Sequence, residues 1–102
     1  MNPVRPLPNN VADSERNIWY YTYVLTSRKD NNFYTGTTLD LERRLNEHNE
    51  GLSISTRYRR PFNLIYFEAC PNKNDAYRRE RYLKSTMGKR FFRTRLKGGL
   101  TG

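Results

Sequence analysis

The chain has 102 residues, and its 19 Lys and Arg residues outnumber its 10 Asp and Glu residues, so that the formal charge is +9. This length suits one small domain, and no apolar run reaches the roughly 20 residues that a membrane helix needs, which excludes a transmembrane protein. The single cysteine, Cys70, excludes an intramolecular disulfide and a cysteine-rich zinc site. Since the first residues also lack the pattern of a secretory signal, we expect a cytoplasmic protein.

Composition predicts a folded domain that binds a polyanion. Leu, Ile, Val and Phe make up about a fifth of the chain, a level near that of disordered proteins, but eight Tyr and one Trp add enough apolar surface for a core. The positive charge favours nucleic acid over an anionic membrane, because no basic amphipathic helix with a Leu, Trp or Phe face is present.

One domain, at residues 17–97, is predicted between two tails. Residues 1–16 hold three of the five prolines and few large apolar side chains, which predicts a flexible tail. Residues 98–102 contain glycine and are expected to fray. No internal repeat or second domain is visible.

The domain is predicted to open with a β-hairpin. Residues 18–26 are aromatic and β-branched, as in a buried strand, and residues 27–32 contain the Asp and Asn side chains that form turns. Residues 33–37 then return to strand-forming types. Tyr23 and Tyr34 project from one face of this hairpin if the connection has an even number of residues, because side chains alternate along strands.

A helix and a third strand are predicted next. Thr37 and Thr38 can cap a helix over residues 39–49, and Gly51 follows it as a stop signal. A basic loop over residues 50–61 leads into a central or edge strand at residues 62–69.

The last elements are predicted to be helices. Residues 71–75 break the chain and cap a helix over residues 76–87, and Gly88 separates it from a short basic helix over residues 89–96. The order is therefore ββαβαα, an α+β fold in which helices flank a small three-stranded antiparallel sheet.

One face of the first helix places polar residues among leucines, in the set Leu41, Arg44, Leu45 and His48. Arg44 is thus aimed inward, whereas Arg43 and Glu47 are predicted to point elsewhere. Arg44 has two structural explanations, packing of its methylenes with the charge turned to solvent or pairing with a buried carboxylate, beside a functional one. His48 is equally well explained as a hydrogen-bonded core histidine.

A carboxylate interrupts the apolar stripe of the later helix, in the set Ala76, Glu80, Leu83 and Met87. The neighbouring Arg78, Arg79 and Arg81 face other directions and pair poorly with an inward Glu80. A role as a metal ligand and a purely structural role explain the inward position of Glu80 equally well. Gly36, at the junction into the first helix, indicates close approach of some group to the backbone, which includes a phosphate among the candidates.

Taken together, these residues resemble the GIY-YIG endonuclease family over about residues 19–92. The resemblance rests on Tyr-Thr-Tyr-Val-Leu at residues 21–25 and Tyr-Thr-Gly at residues 34–36, on the helix around Arg44, and on the isolated Glu80. It implies a small single-domain member whose active site contains Tyr23, Tyr34, Arg44, His48 and Glu80.

The implied chemistry is hydrolysis of a phosphodiester bond in DNA. A single Mg²⁺ or Mn²⁺ on Glu80 is sufficient, since Mg²⁺ takes only one or two carboxylates together with water and phosphate oxygens. Arg44 offers a bidentate fork for the phosphate. Tyr23 is the expected general base, with a pKa lowered by the metal and Arg44, and Tyr34 orients water or phosphate, although the two roles are interchangeable.

Basic residues in the loop and the later helices are the expected nucleic-acid contacts: Arg57, Tyr58, Arg59, Arg60, Lys84, Lys89 and Arg90. Arg78, Arg79, Arg81, Arg93 and Arg95 extend this second basic surface. Tyr58 can stack on an unpaired base, which favours branched, nicked or single-stranded sites. A solvated basic loop is the structural alternative.

The expected function is therefore a nuclease whose specificity is structure-directed or weakly sequence-dependent, and a partner protein can provide its targeting. Two other functions are alternatives to it. The first is a non-catalytic nucleic-acid-binding protein on the same scaffold. It is motivated by Tyr21-Thr22-Tyr23, which lacks the Gly and Ile of the family motif, and by the lack of any Asn after Asn74 where many members carry one. The second is a ribosome-associated RNA-binding protein, which leaves an inward Arg44 and Glu80 unexplained.

Overall fold

A three-stranded antiparallel sheet forms the centre of the computed structural model, which describes residues 18–85 and 88–90. The strands are β1 (Tyr20–Ser27), β2 (Phe33–Thr38) and β3 (Phe62–Cys70), in the order β2-β1-β3. This confirms the predicted sheet and makes β3 an edge strand. Both predicted tails, Met87 and the predicted last helix beyond Arg90 lie outside the described residues.

The hairpin register places the two tyrosines on one face, as the sequence predicts. The last Cα pair is Thr26 with Phe33, so the six residues 27–32 lie between the paired positions. Tyr23 pairs with Gly36, and Leu25 pairs with Tyr34. Since paired residues share a face and residues two apart along a strand do too, Tyr23 and Tyr34 lie on the same side of the sheet.

Both helices begin at side-chain caps that differ from the predicted boundaries. Helix α1 (Leu41–Asn49) begins after Asp40, whose carboxylate accepts from the Arg43 N–H, so the predicted threonine caps are wrong. Helix α2 (Lys73–Lys84) begins three residues earlier than predicted, because the Asn72 side chain accepts from the Asp75 N–H. No helix within residues 18–85 and 88–90 combines the length and apolar character needed to cross a membrane.

Each helix covers one face of the sheet. Leu41 and Leu45 of α1 pack on the face that carries Tyr23 and Leu25. On the other face, Val24 and Leu83 form a second apolar cluster. The Thr22 hydroxyl also donates to the Ala76 carbonyl, 3.0 Å away, which ties α2 to the central strand.

The predicted basic loop is fixed by hydrogen bonds to both α1 and the hairpin. A 3₁₀ turn, Arg57–Arg59, lies in its middle. The Asn49 side chain spans its two ends, because its amide donates to the Phe62 carbonyl at 3.2 Å and accepts from the Phe62 N–H at 2.7 Å. The Ser27 hydroxyl in turn donates to the Arg59 carbonyl. The loop is therefore held in place beside the sheet.

Candidate active site

A buried chain of hydrogen bonds joins three side chains from three different elements. The Tyr23 hydroxyl of β1 lies 2.9 Å from Nε2 of His48 on α1. Nδ1 of the same imidazole lies 2.8 Å from the Thr56 hydroxyl of the loop. Tyr23 is only 1% exposed, and His48 and Thr56 are wholly buried. The sequence pointed to Tyr23 and His48 but not to Thr56, whose loop position carries no periodic signal.

Tyr34 and Gly36 complete the side of this site formed by β2. The Tyr34 ring packs edge-on against His48, with centroids 4.9 Å apart, and its centroid lies 6.4 Å from that of Tyr23. At Gly36, a Cβ atom would lie 2.6 Å from the Tyr23 hydroxyl oxygen and 2.8 Å from Cζ. The group that approaches this glycine is therefore the Tyr23 ring, which corrects the suggestion of a phosphate.

Arg44 reaches the same cluster from α1, with 32% of its side chain exposed. Its Nη1 donates to Glu47 Oε1 at 2.9 Å, and the guanidinium is close enough to Tyr23 to oppose the rise in the pKa of that hydroxyl. The prediction that Arg43 points outward is confirmed, since 74% of its side chain is exposed, but Glu47 turns toward Arg44 instead of pointing elsewhere. Arg44 thus has a paired carboxylate and still retains donors for another group, because a guanidinium has five N–H groups.

Burial keeps both Tyr23 and His48 uncharged. Loss of solvent raises the pKa of Tyr23 to about 12, and the nearby Arg44 only partly opposes this rise. Burial, with Arg44 nearby, lowers the pKa of His48 to about 4. The expected lowering of the Tyr23 pKa by Arg44 therefore does not prevail in the protein alone, because desolvation is the larger effect.

These protonation states determine the direction of the hydrogen-bond chain. A neutral Tyr23 needs an acceptor for its proton, and Arg44 can only donate. His48 Nε2 is therefore the acceptor, which leaves the imidazole proton on Nδ1, directed at the Thr56 oxygen. Thr56 accordingly positions the histidine as a proton acceptor for Tyr23.

Because Tyr23 and His48 are both buried in their neutral forms, we expect the free energy of unfolding to decrease at acidic pH and again at alkaline pH. In the unfolded chain His48 binds a proton below pH 6.5 but in the folded protein only near pH 4, so stability is lost as pH falls through this interval, by about 3 kcal/mol in total. Unfolded tyrosine ionises above pH 10 and folded Tyr23 only near pH 12, so a further loss of about 3 kcal/mol is expected as pH rises.

Urea unfolding followed by circular dichroism across this pH range measures both losses. His48 is the one histidine in the chain, and Asp30, whose hydrogen bonds with Arg59 lower its pKa to about 2, titrates below the range of His48. The Tyr23→Phe variant is the control for the alkaline branch, and we expect its loss above pH 10 to be smaller than that of the unsubstituted protein. Equal alkaline losses in the two proteins would contradict burial of a neutral Tyr23.

Glu80 approaches β2, the other edge strand of the sheet, from α2, with 20% of its side chain exposed. Its Oε1 accepts from the Thr37 hydroxyl at 2.6 Å, and its Oε2 lies 2.8 Å from Lys84 Nζ. Thr37 follows Gly36, so its side chain projects to the face opposite Tyr34. The carboxylate is still close enough for its charge to raise the pKa of Tyr23. Glu80 therefore joins the site electrostatically rather than by direct contact with the tyrosines.

The oxygen atoms around Glu80 suit a weakly held divalent cation. A carboxylate and the neighbouring Thr37 hydroxyl are hard oxygen donors of the kind that Mg²⁺ and Mn²⁺ accept. Within residues 18–85 and 88–90, no group of three or more His, Cys, Asp or Glu side chains could enclose a metal. The donor set thus fits an ion that keeps most of its water and phosphate ligands.

Several of the predicted nucleic-acid contacts have partners within the fold. Arg59 Nε lies 2.8 Å from Asp30 Oδ2, and its Nη2 donates to the carbonyls of Asn32 and Phe33, where the turn enters β2, so this arginine stabilises the turn. Arg79 binds Glu68 through two hydrogen bonds of 2.7 and 3.0 Å. Lys84 pairs with Glu80.

Arg78 pairs with Asp75, and the predicted Arg93 and Arg95 lie outside the described residues. Four other predicted cations, Arg57, Arg60, Lys89 and Arg90, are open to solvent. Arg57 lies over the Tyr58 ring at 5.3 Å, and Arg60 Nη1 donates to the Arg57 carbonyl. Lys89 and Arg90 are exposed where the described chain ends. None of these four cations has a carboxylate partner among the described residues.

Comparison with known proteins places this chain in a family. Residues 19–94 match the model of the GIY-YIG catalytic domain, and the chain belongs to the GIY-YIG family. Membership indicates nuclease activity in general, and it confirms the resemblance drawn from the tyrosine motifs.

Relatives of similar size carry names of the UPF0213 group. The UPF0213 protein CPE1444 of Clostridium perfringens is 46% identical over 65 residues, which cover 63% of this chain and 69% of that protein. The UPF0213 protein HQ_3675A of Haloquadratum walsbyi is 40% identical over 68% of this chain and 78% of its own length. The solution NMR structure of the UPF0213 protein BH0048 from Bacillus halodurans is 38% identical, covers 80% of this chain and 88% of that one, and has a TM-score of 0.48.

Proposed function

We propose that the protein is a DNA endonuclease that depends on a divalent metal and hydrolyses phosphodiester bonds at sites chosen by DNA structure or by weak sequence preference. The observation that carries the proposal is the meeting of Tyr23, Tyr34, Arg44 and His48 on one face of the sheet, with the charge of Glu80 close by. Arginine, neutral proton-transfer groups and a carboxylate are the groups that phosphodiester hydrolysis needs.

Arg44 is the proposed ligand of the scissile phosphate. It is permanently charged, partly buried, and oriented by its bond to Glu47. A fixed cation in a site with little water stabilises the charge that develops on the phosphate oxygens more strongly than a mobile surface cation does. Its planar fork also sets the orientation of the phosphate.

Tyr23 and His48 are the proposed path for the proton of the attacking water. Tyr23 keeps its own proton at neutral pH, so that ionising it beforehand would cost about 7 kcal/mol, the equivalent of five pKa units. We propose instead that the Tyr23 oxygen takes the water proton while its own proton passes to His48 Nε2, 2.9 Å away. Tyr34, which is less buried than Tyr23, orients the water or the phosphate.

Glu80, with Thr37 beside it, is the proposed holder of one Mg²⁺ or Mn²⁺ ion. When bound, such an ion supplies positive charge to a non-bridging phosphate oxygen and assists the departing 3′ oxygen. Lys84 pairs with the same carboxylate, so its ammonium group must release Oε2 of Glu80 before that oxygen can bind the ion. Its ammonium group is then available for a neighbouring phosphate, which agrees with its predicted role in binding DNA.

Nicking of supercoiled plasmid and of branched DNA by the purified chain tests this function. We expect cleavage with Mg²⁺ or Mn²⁺, and its loss in EDTA and in Glu80→Gln, with a decrease of about 10²-fold or more for the variant. Glu42→Gln is the matched control, because Glu42 is an exposed glutamate of α1, and it should cleave normally.

The opposite results separate the alternatives. Cleavage that persists in EDTA would contradict metal dependence. A lack of cleavage by the unsubstituted chain, together with salt-sensitive DNA binding that Glu80→Gln leaves unchanged, would favour a non-catalytic nucleic-acid-binding protein.

A further inference from the structure

Three large apolar side chains are exposed on the loop between α1 and β3. The exposed fractions are 66% for Leu52, 78% for Ile54 and 74% for Tyr58, and we call these three residues the apolar tip. The other exposed large apolar residues of the described chain are Leu39, Phe67, Tyr77 and Tyr82, of which the two tyrosines lie five positions apart on α2. A local group of exposed apolar side chains indicates an interaction site, whereas scattered ones do not.

The loop holds the apolar tip in a defined position next to the active site. The Thr56 N–H donates to the Ser53 carbonyl at 3.1 Å, and the Arg59 N–H donates to the Thr56 carbonyl at 2.9 Å. The buried Thr56 side chain hydrogen-bonds His48. Whatever the apolar tip binds is therefore held beside the Tyr23 and His48 pair, on a surface that needs little ordering.

The charge of the loop points to a polyanion. The loop, residues 50–61, contains three arginines and one carboxylate, Glu50, and two of the arginines, Arg57 and Arg60, have no carboxylate partner among the described residues. The Arg57 guanidinium covers one side of the Tyr58 ring, at 5.3 Å from its centroid, while most of the tyrosine surface stays accessible. A tyrosine with one open face, flanked by cations, matches an unstacked base next to its phosphates.

The size of the apolar tip favours nucleic acid over a partner protein. A stable protein complex buries about 800 Å² on each partner, much more than three side chains offer. Insertion of one or two apolar side chains between base pairs needs only a small contact, and it is assisted by cations that bind the flanking phosphates.

We propose that the apolar tip recognises DNA whose base stack is interrupted, such as a single-nucleotide bulge. Leu52 and Ile54 enter the gap in the stack, Tyr58 stacks on the displaced base, and Arg57 and Arg60 bind adjacent phosphates. This inference rests on the proposed endonuclease function, because it names the DNA structure that the same active site meets.

Fluorescence anisotropy with bulged and with perfectly paired DNA of the same length tests the inference. The experiment is done in EDTA, so that binding is measured without cleavage. We expect the unsubstituted chain to bind bulged DNA about tenfold more tightly, and we expect a Leu52→Ser, Ile54→Ser, Tyr58→Ser variant to lose most of this preference. Its affinity for paired DNA and the slope of binding against salt should stay the same, since the arginines remain.

Two controls make the result specific. Tyr77→Ser removes an exposed tyrosine from α2 and should keep the preference, as should Tyr58→Phe, which retains the ring. Circular dichroism compares the folding of all variants. No preference in the unsubstituted chain, or a preference that survives the triple substitution, would overturn the inference and leave a protein partner as the occupant of the apolar tip.

Cleavage assays on the same variants separate this inference from the proposed function. Loss of bulge preference in a chain that never cleaves DNA would support the apolar tip and contradict the endonuclease. Metal-dependent cleavage with a bulge preference that is unchanged by the triple substitution would support the endonuclease and contradict the role of the apolar tip.

Discussion

Replacing Arg44 by lysine is expected to lower the rate of DNA cleavage by about 10²–10³-fold, with little change in stability. Lysine retains the charge, but it cannot bond Glu47 and at the same time present a planar fork to the phosphate. The effect should appear in single-turnover nicking with saturating protein, where binding does not limit the rate.

Arg43→Lys is the matched control for this substitution. Arg43 precedes Arg44 on the same helix, but it is exposed and lies 3.5 Å from Glu47. The same change of side chain there alters neither the cluster nor the net charge, so cleavage should stay within about twofold of the unsubstituted rate. Equal rates for the two lysine variants would remove Arg44 from the proposed phosphate site.

Gly36→Ala is expected to destabilise the fold by about 1–3 kcal/mol and to reduce cleavage strongly. The new methyl group would lie 2.6 Å from the Tyr23 hydroxyl oxygen, in a part of the core where the ring has no space to withdraw. Movement of the ring would also break the 2.9 Å bond to His48. Urea unfolding and plasmid nicking measure the two effects.

A double-mutant cycle with Tyr23→Phe identifies the cause of this loss. Phenylalanine removes the hydroxyl oxygen, which is the nearest atom to the added methyl group. It keeps the ring carbon Cζ, which would lie 2.8 Å from that methyl group. We expect the cost of Gly36→Ala to be smaller in this background by about 0.5–1 kcal/mol. A cost that is unchanged in the two backgrounds would show that the glycine is needed for a reason other than the Tyr23 hydroxyl.

The arrangement of the main elements could be predicted because it follows from local patterns. Alternation along the hairpin places Tyr23 and Tyr34 on one face, and helical periodicity aims Arg44 and Glu80 inward. Helix starts were less predictable, since Asp40 and Asn72 each compete with nearby residues that could also form a cap.

Hydrogen-bond partners that come from segments far apart in the chain could not be predicted, because no local pattern relates the two positions. Arg59 and Asp30 are 29 positions apart, and the Tyr23 and His48 pair is separated by 25. A basic residue that stabilises a turn and one that contacts DNA have the same local sequence signature. Only the fold distinguishes Arg59, which is paired, from Arg57, which is open to solvent.

The sequence by itself determined the basic character of the chain, the order of its strands and helices, and the residue types of the candidate active site, because charge, periodicity and motif spacing are local properties. The tertiary structure decided which residues touch and which protonation states they hold. Burial keeps Tyr23 and His48 neutral, and the hydrogen bond with Thr56 orients the His48 imidazole. Desolvation and hydrogen-bond geometry depend on atoms contributed by several elements at once, and these atoms meet only when the chain has folded.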